Sequence, residues 1–212
     1  MMAETYMLQA LQNGLASIRS NPSQLADILT ALNANELSAA QQWFGNANNQ
    51  IIIAPGFPMK PEQLPFIGIT VGNDDQIESQ TGIGLDYYTS TDSGSGIITQ
   101  YRGAPFNGAI KGTIYTTNAD LIVWLSAVCK WSLLSQYDWL GSDNGGAMRN
   151  IRIGLGDYEP SPGFLPIFSF ARGVYLYGEY DCVFTTQPQA ITSDSVTGSF
   201  STQNDSFTII SN

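Results

Sequence analysis

The sequence predicts an α+β fold in which a mainly antiparallel sheet is packed by one long helix. Three observations predict it: apolar residues at helical spacing in the first quarter of the chain, strand-like segments after them, and one long helical stripe between those segments. We predict a single domain over residues 1–184, with a helical segment at 1–50 and the sheet and long helix at 51–184. An extended polar arm at 185–212 is expected to follow it.

The first fifty residues carry three short amphipathic patterns. Asn21 and Pro22 separate the first pattern from the second, because Asn favours a helix cap and Pro the first helical position. The second helix is predicted to run to Leu32 and the third to span residues 35–44. The apolar positions that define the three patterns are Leu8, Leu11, Leu15, Ile18, Leu25, Ile28, Leu29, Leu32, Leu37, Ala40, Trp43 and Phe44.

Strand-like segments begin after the Asn-rich break "GNANNQ". They are "IIIA", "FIGITVG", "GIITQYRG" and "AIKGTIYTT", and later "RNIRIGLGD" and "GVYLYGEYDCVF", each bounded by Gly, Pro or Asn. The longest helix lies between the two groups, from Asn118 to about Tyr137. Its predicted core-facing stripe contains Leu121, Ile122, Leu125, Val128, Cys129, Ser132 and Leu133.

The last long strand alternates cleanly, with one apolar face and one face for water or a partner. From Thr185 onward Ser, Thr, Asn, Gln and Asp dominate, which predicts an arm that orders against a neighbour. The predicted inner face holds Val174, Leu176, Tyr180, Cys182 and Phe184, and the predicted outer face holds Tyr175, Tyr177, Glu179 and Asp181.

Composition argues against several functional classes. The chain has no histidine, which removes the usual general base and the commonest metal ligand. Its net charge of -10 opposes binding to a nucleic-acid backbone, and only 12% of its residues are charged. With no signal-peptide pattern and no membrane-spanning apolar run, we expect a soluble protein made in a cytoplasm. Cys129 and Cys182 are expected to be buried thiols rather than a disulfide or metal pair.

Carboxylate pairs are the remaining candidates for chemistry. Each has a plain structural interpretation: the first as a turn after a strand, the second as a connection after a strand, the third as the wet side of a strand. The glycine-rich "GLGDYEPSPG" lacks both the dinucleotide and the P-loop patterns. We therefore predict no catalytic residue, cofactor or metal site. The pairs are Asp74 with Asp75, Asp157 with Glu159, and Glu179 with Asp181.

The order of features resembles the tail-terminator and neck proteins of tailed bacteriophages. The resemblance rests on "APGFPMKPEQLPFIGITVG", on "GTIYTTNADLIVWLSAVCKWSLL" and on "RNIRIGLGDYEPSPGFLPIFSFARGVYLYGEYD", and it covers residues 8–184. It implies an α+β subunit of a ring, usually a hexamer, that joins the tail tube or sheath to the head connector in the virion. It also implies no enzyme activity, no cofactor, no membrane and no sequence-specific contact with nucleic acid.

In a ring subunit, irregular segments would make contacts. The tract at 55–65 and the run at 73–96 would be contact loops, one against an adjacent subunit and one toward tube, sheath or connector. Negative charge would suit a channel through which DNA slides. Exposed aromatic residues suit protein interfaces. The predicted interface residues are Phe57, Pro58, Tyr87, Tyr88, Tyr175 and Tyr177.

Two other functions stay open at the level of sequence. Tyr and Trp beside Ser, Thr, Asn and Gly suit a carbohydrate-binding or adhesin-like module, although such modules are more often all-β sandwiches. Asp157 and Glu159 would suit an enzyme with an oxygen-ligated metal, although the neighbouring sequence supplies few further ligands. The clustered aromatic residues are equally compatible with a sheet face that lies under a helix.

Overall fold

A computed structural model gives the fold. It describes residues 3–76, 86–91, 98–142, 148–159, 169–185, 197–199 and 206–208, with the backbone alone at 3, 73–76, 86–91, 98–104, 182–185, 197–199 and 206–208. The helices are α1 (Ala3–Ser20), α2 (Leu25–Ile28), α3 (Ala34–Gly45), α4 (Ala119–Ser135) and α5 (Tyr137–Gly141). The strands are β1 (Ile52–Pro55), β2 (Phe66–Gln76), β3 (Asp86–Thr91), β4 (Ile98–Thr116), β5 (Arg149–Glu159), β6 (Phe170–Thr185), β7 (Thr197–Ser199) and β8 (Ser206–Thr208).

The predicted α+β class is confirmed. Among the described pairings only β1 with β2 is parallel, while β2 with β4, β3 with β4, β5 with β6, and β7 with β8 are antiparallel. The chain divides into two compact units, Met1–Ile77 with Pro105–Asp181, and Glu78–Ala104 with Cys182–Asn212. The prediction from the sequence instead placed one boundary between residues 184 and 185, which separates a domain at 1–184 from an arm at 185–212.

The first unit is a sheet with helices packed on one face. Its strand order is β1-β2-β4-β6-β5, so β1 and β5 are the edge strands. Glycines let α1 approach both partners closely. A Cβ on Gly14 would lie 2.1 Å from Ser132 Oγ of α4, and a Cβ on Gly112 of β4 would lie 2.8 Å from Met7 Cε of α1. The core between the helices and the sheet includes Met7, Leu11, Leu15, Ile18, Ile67, Ile69, Ile110, Ile114, Leu125, Val128, Val174 and Leu176.

The long helix matches its prediction. Every residue of the predicted stripe is buried, and the Oδ1 atom of Asn118 accepts the N–H groups of Asp120 and Leu121 at the helix start. Among the N-terminal helices, α3 begins at an Asn33 cap that pairs reciprocally with Glu36. The second helix ends at Ile28 rather than at Leu32, because the backbone of Leu29 leaves the helical region.

The segment after β1 folds over its own sheet. Gly56 takes a φ of 89°, in the left-handed region that favours glycine, and its carbonyl oxygen lies 2.0 Å from where a Cβ on Gly68 would be. A side chain at residue 68 would block this crossing, and a non-glycine residue at position 56 would be strained by the positive φ. The crossing lets a connection that contains only a 3-10 turn, Pro61–Gln63, link the parallel strands β1 and β2.

Two predicted loops contain strands. Asp74 and Asp75 were predicted in a turn after a strand, but β2 continues through them and pairs with residues 107 and 108 of β4 across a bulge. The predicted contact loop at 73–96 therefore starts in β2 and includes β3, while residues 77–85 and 92–96 lie outside the described residues. The segments "GIITQYRG" and "AIKGTIYTT" are parts of one strand, β4.

The second unit holds the remaining pairings. In it, β3 pairs antiparallel with residues 98–102 of β4. The short strands β7 and β8 pair antiparallel over three residues each, from Thr197 with Thr208 to Ser199 with Ser206. Part of the predicted extended arm is thus paired within the chain, and the rest of that arm lies outside the described residues.

Candidate interaction surface

The face of the sheet opposite the helices carries charged and aromatic side chains. Along β6, Val174, Leu176 and Tyr180 are buried in the core, while Tyr175 and Tyr177 are half-buried on the other side. The predicted alternation is confirmed for these residues, whereas the side chains of Cys182 and Phe184 lie outside the described part. We call the following set the outer face: Lys111 of β4, Arg149, Arg152 and Glu159 of β5, and Tyr175, Tyr177, Glu179 and Asp181 of β6.

Two stacked tyrosines form the centre of the outer face. The rings of Tyr175 and Tyr177 lie 5.8 Å apart between centroids and are inclined by 14°. A cation lies against each ring: Lys111 Nζ is 5.8 Å from the centroid of Tyr175, and the guanidinium carbon of Arg152 is 5.8 Å from that of Tyr177. Cation–π contacts of this kind orient both partners and leave ring edges available to a second surface.

Ion pairs flank the tyrosines at both ends. At one end Lys111 Nζ lies 2.5 Å from Glu159 Oε1. At the other, Arg149 donates two hydrogen bonds to Asp181, at 2.7 and 3.3 Å, and Asn150 donates to Glu179 at 2.7 Å. The outer face therefore holds three basic and three acidic side chains and is neutral, although the whole chain carries a charge of -10.

The local fold makes room for these side chains. The ring of Tyr175 lies across two glycines, since a Cβ on Gly156 would meet its Cε2 at 2.8 Å and a Cβ on Gly173 at 3.0 Å. The pairing of β5 with β6 has two register shifts, one between Arg149 and Arg152 and one between Leu155 and Tyr158. These shifts set which β5 residues lie on the outer face. The glycines of "RIGLGD" thus support a tyrosine ring, as glycine does where another group must approach the backbone closely.

The charged network changes the titration of its members. Burial by itself would lower the pKa of Lys111, but the hydrogen bond and charge of Glu159, together with Tyr175, raise that pKa above its ordinary value. Burial raises the pKa of the neighbouring Tyr115, and the charge of Glu159 acts in the same direction. Lys111 is therefore a firmly protonated cation whose side chain is 28% exposed.

The predicted interface residues fall in different places. Tyr175 and Tyr177 lie together on the outer face. Phe57 is 52% exposed on the connection between β1 and β2, whereas Pro58 beside it is buried. Tyr87 and Tyr88 belong to β3 in the second unit, and their side chains lie outside the described part of the chain.

The candidate chemical groups have structural roles where they are described. Glu159 pairs with Lys111, and Glu179 and Asp181 pair with residues of β5. Asp157 is exposed near the second register shift of β5. In the described ranges, no three acidic or cysteine side chains come together as metal ligands. Burial raises the pKa of the Cys129 thiol to about 12, so it is a poor nucleophile.

Two clefts of the first unit also bear on function, and the second of them shares Glu159 with the outer face. One, of about 450 Å³, is lined by Trp43, by amide side chains from the segment after α3, and by the start of α4. The other, of about 430 Å³, lies between the first turn of α4, the end of β5 and the start of β6. We call the first the amide cleft, with Trp43, Asn48, Asn49, Gln50, Glu62, Gln63 and Asn118, and the second the apolar pocket, with Ala119, Ile122, Tyr158, Glu159, Ser169, Phe170 and Ala171.

Sequence comparison adds no relative. No protein-family model matches the chain, and no curated protein matches it at a significant level. In the described parts of the chain, no helix has the length and apolar character needed to cross a membrane. The outer face and the two clefts are therefore the features that bear on function.

Proposed function

We propose that this chain is a structural virion protein of a tailed bacteriophage, forming a ring at the head-tail junction or at the tail end. Its partners would be further copies of itself, in a hexamer, and the tail tube, sheath or connector proteins that the ring joins. The proposal requires no catalytic residue, cofactor or metal, no membrane, and no sequence-specific contact with nucleic acid. The observation that carries it is the ordered and neutral outer face.

The outer face has the chemistry of a protein interface. The core of an interface is enriched in Tyr and Arg, and its rim is polar and carries hydrogen-bonding groups. Here the tyrosines are stacked and the charges are paired with one another, so a partner would displace little tightly held water. Five of the eight basic residues of the chain lie on β4, β5 and β6, in a protein that is otherwise acidic.

The layer structure supports the same proposal. An antiparallel sheet can cover one face with helices and present the other to solvent or to a partner. In the first unit α1 and α4 cover the inner face, and residues 56–65 cross the outer face at Gly68. On the outer face, Tyr175 and Tyr177 remain only half-buried.

The test is the mass of the purified protein by light scattering over a concentration series, followed by electron microscopy of the largest species. We expect mass to rise with concentration to about that of six subunits, with closed rings in the images. A mass of one subunit at every concentration would count against the proposal, and so would open filaments without closed rings.

A second candidate is glycan binding at the amide cleft. The amide oxygens of Gln63 and Asn118 each accept two backbone N–H groups, which leaves their NH₂ groups as donors beside Trp43. Planar amides and an indole ring are groups that recognise sugar hydroxyls and ring faces. Binding on a glycan array that is lost in Trp43→Ala, in a chain that stays monomeric, would favour this candidate over the ring.

A further inference from the structure

An apolar loop follows β1, an edge strand of the first unit. Met59 is 72% exposed and Phe57 is 52% exposed, while Pro58 between them is buried. The Oε1 atom of Gln63 accepts the backbone N–H groups of Met59 and Lys60, at 2.7 and 3.1 Å. These two hydrogen bonds restrain the loop, which lowers the entropy lost on docking. We call residues 57–60 the apolar loop.

The apolar pocket lies toward the other edge of the same sheet. Ile122 of α4 forms part of its floor and is almost fully buried, while Tyr158 and Phe170 are 54% and 37% exposed. Tyr158 is fixed by Arg172, whose guanidinium lies 4.9 Å from the ring centroid and donates a hydrogen bond to the carbonyl of Gly156. The pocket wall is therefore ordered, like the loop.

The positions of the apolar loop and the apolar pocket in the sheet suit a head-to-tail contact between copies of the chain. The loop follows β1 and the pocket is built on β5 and β6, and β1 and β5 are the two edge strands of the sheet. Two different patches at opposite edges of one subunit make a heterologous, head-to-tail interface, which closes into a ring when the rotation per subunit allows it. We infer that the apolar loop of one copy inserts into the apolar pocket of the next copy, an inference that rests on the proposed ring function.

Charge supports a second copy as the occupant. Lys60 is exposed at the end of the loop. Asp120 and Asp157, both exposed, are neighbours in sequence of the pocket residues Ala119 and Tyr158. The basic groups near the pocket are already engaged, Lys111 by Glu159 and Arg172 by Gly156. An incoming lysine would therefore be attracted by the exposed acidic residues that adjoin the pocket residues in sequence.

The pocket is continuous with the outer face. Glu159 lines the pocket and pairs with Lys111, which lies against the ring of Tyr175. A loop seated in the pocket would bring the neighbouring subunit over the tyrosines as well. One interface would then use Phe57 on one side and Tyr175 and Tyr177 on the other, joining three of the residues predicted from the sequence.

Complementation between two damaged variants tests this contact. Phe57→Ser with Met59→Ser removes the loop's apolar surface and leaves the pocket intact. Ala119→Trp fills the mouth of the pocket and leaves the loop intact, since Ala119 is exposed at the start of α4. Leu134→Ser is the matched control, because Leu134 is a half-exposed apolar residue on α4 that belongs to neither feature.

We expect each damaged variant alone to require at least tenfold more protein to assemble than the wild type, by light scattering. An equimolar mixture of the two should form a one-to-one heterodimer and nothing larger, because only one loop–pocket contact is then complete. The Leu134→Ser control should assemble like the wild type, and circular dichroism should show all variants folded.

The outcomes separate the two proposals. If the wild type forms rings and both damaged variants assemble at its concentration, or if the mixture forms no heterodimer, the loop–pocket contact is wrong and the ring function stands. If the wild type stays a monomer at every concentration, the ring function fails its own test and the contact falls with it. A heterodimer confined to the mixture supports the contact.

Discussion

The two faces of the sheet in the first unit are built from different chemistry. The inner face carries Ile67, Ile110, Ile114, Val174 and Leu176, all buried under helices. The outer face carries stacked tyrosines and ion pairs that remain partly exposed. The same strands supply both, because alternate residues of a strand point to opposite sides. The contrast separates the residues that hold the subunit together from those available to a partner.

The expected contributions of the two faces to the free energy of unfolding support that separation. Burying an aliphatic side chain contributes about 1.5–3 kcal/mol, whereas an exposed ion pair contributes about 0–1 kcal/mol. The outer face therefore adds little to the free energy of unfolding of the chain. The role that we propose for it is a contact with a partner.

The largest expected effect is in the helix layer. Leu125→Ala should lower the free energy of unfolding by about 2–5 kcal/mol, because Leu125 is fully buried and truncation leaves a cavity. Leu134→Ala on the same helix is the matched control, with a side chain that is 50% exposed and an expected change within about 0.5 kcal/mol. Urea denaturation measures both. Equal effects for the two variants would mean that α4 does not bury the face described.

The contact between α1 and α4 should show a smaller effect. Gly14→Ala places a methyl group where Ser132 already lies, so we expect a loss of about 1–3 kcal/mol in the free energy of unfolding. Ser132→Gly in the same chain should restore part of that loss, because it removes the opposing side chain. A double-mutant cycle by urea denaturation measures the coupling. Strictly additive effects would contradict the close approach of the two helices.

The smallest expected effect is on the outer face. Lys111→Met should lower the free energy of unfolding by at most about 1 kcal/mol near neutral pH, and by less in high salt. Because folding raises the pKa of Lys111, its stabilising effect is full below the ordinary value of 10.5 and is lost as pH rises through the folded pKa. Thermal unfolding of wild type and variant from pH 7 to 11 measures this, with the exposed Lys130→Met as control. A difference that grows with pH would contradict the ion pair.

Local patterns predicted the parts of the fold that depend on one element. The α4 stripe and the alternation of β6 follow from periodicity within a single segment, and both are seen where the structure describes them. The α3 cap was not predicted, although it too is local, because an Asn and a Glu three residues apart form it. These features require no knowledge of which strand lies next to which.

Pairing between distant segments could not be predicted in this way. The parallel pairing of β1 with β2, the extension of β2 through Asp74 and Asp75, and the register shifts of β5 all depend on strands far apart in sequence. Lys111 and Arg152 were missed as partners of the tyrosines for the same reason. The glycines that support Tyr175 offered a signal, in that "RIGLGD" and "ARGVY" are short strand segments with small residues at close spacing.

The central claim is that the outer face is the interface. The most direct test compares the assembly of a double variant, which carries both Tyr175→Ala and Tyr177→Ala, with that of the wild type. We expect the double variant to need at least tenfold more protein to assemble, by light scattering, while its circular dichroism spectrum stays that of the folded subunit. Tyr137→Ala is the matched control, since Tyr137 is an exposed tyrosine on α5, and it should leave assembly unchanged. A double variant that assembles at the wild-type concentration would show that the outer face is not the interface.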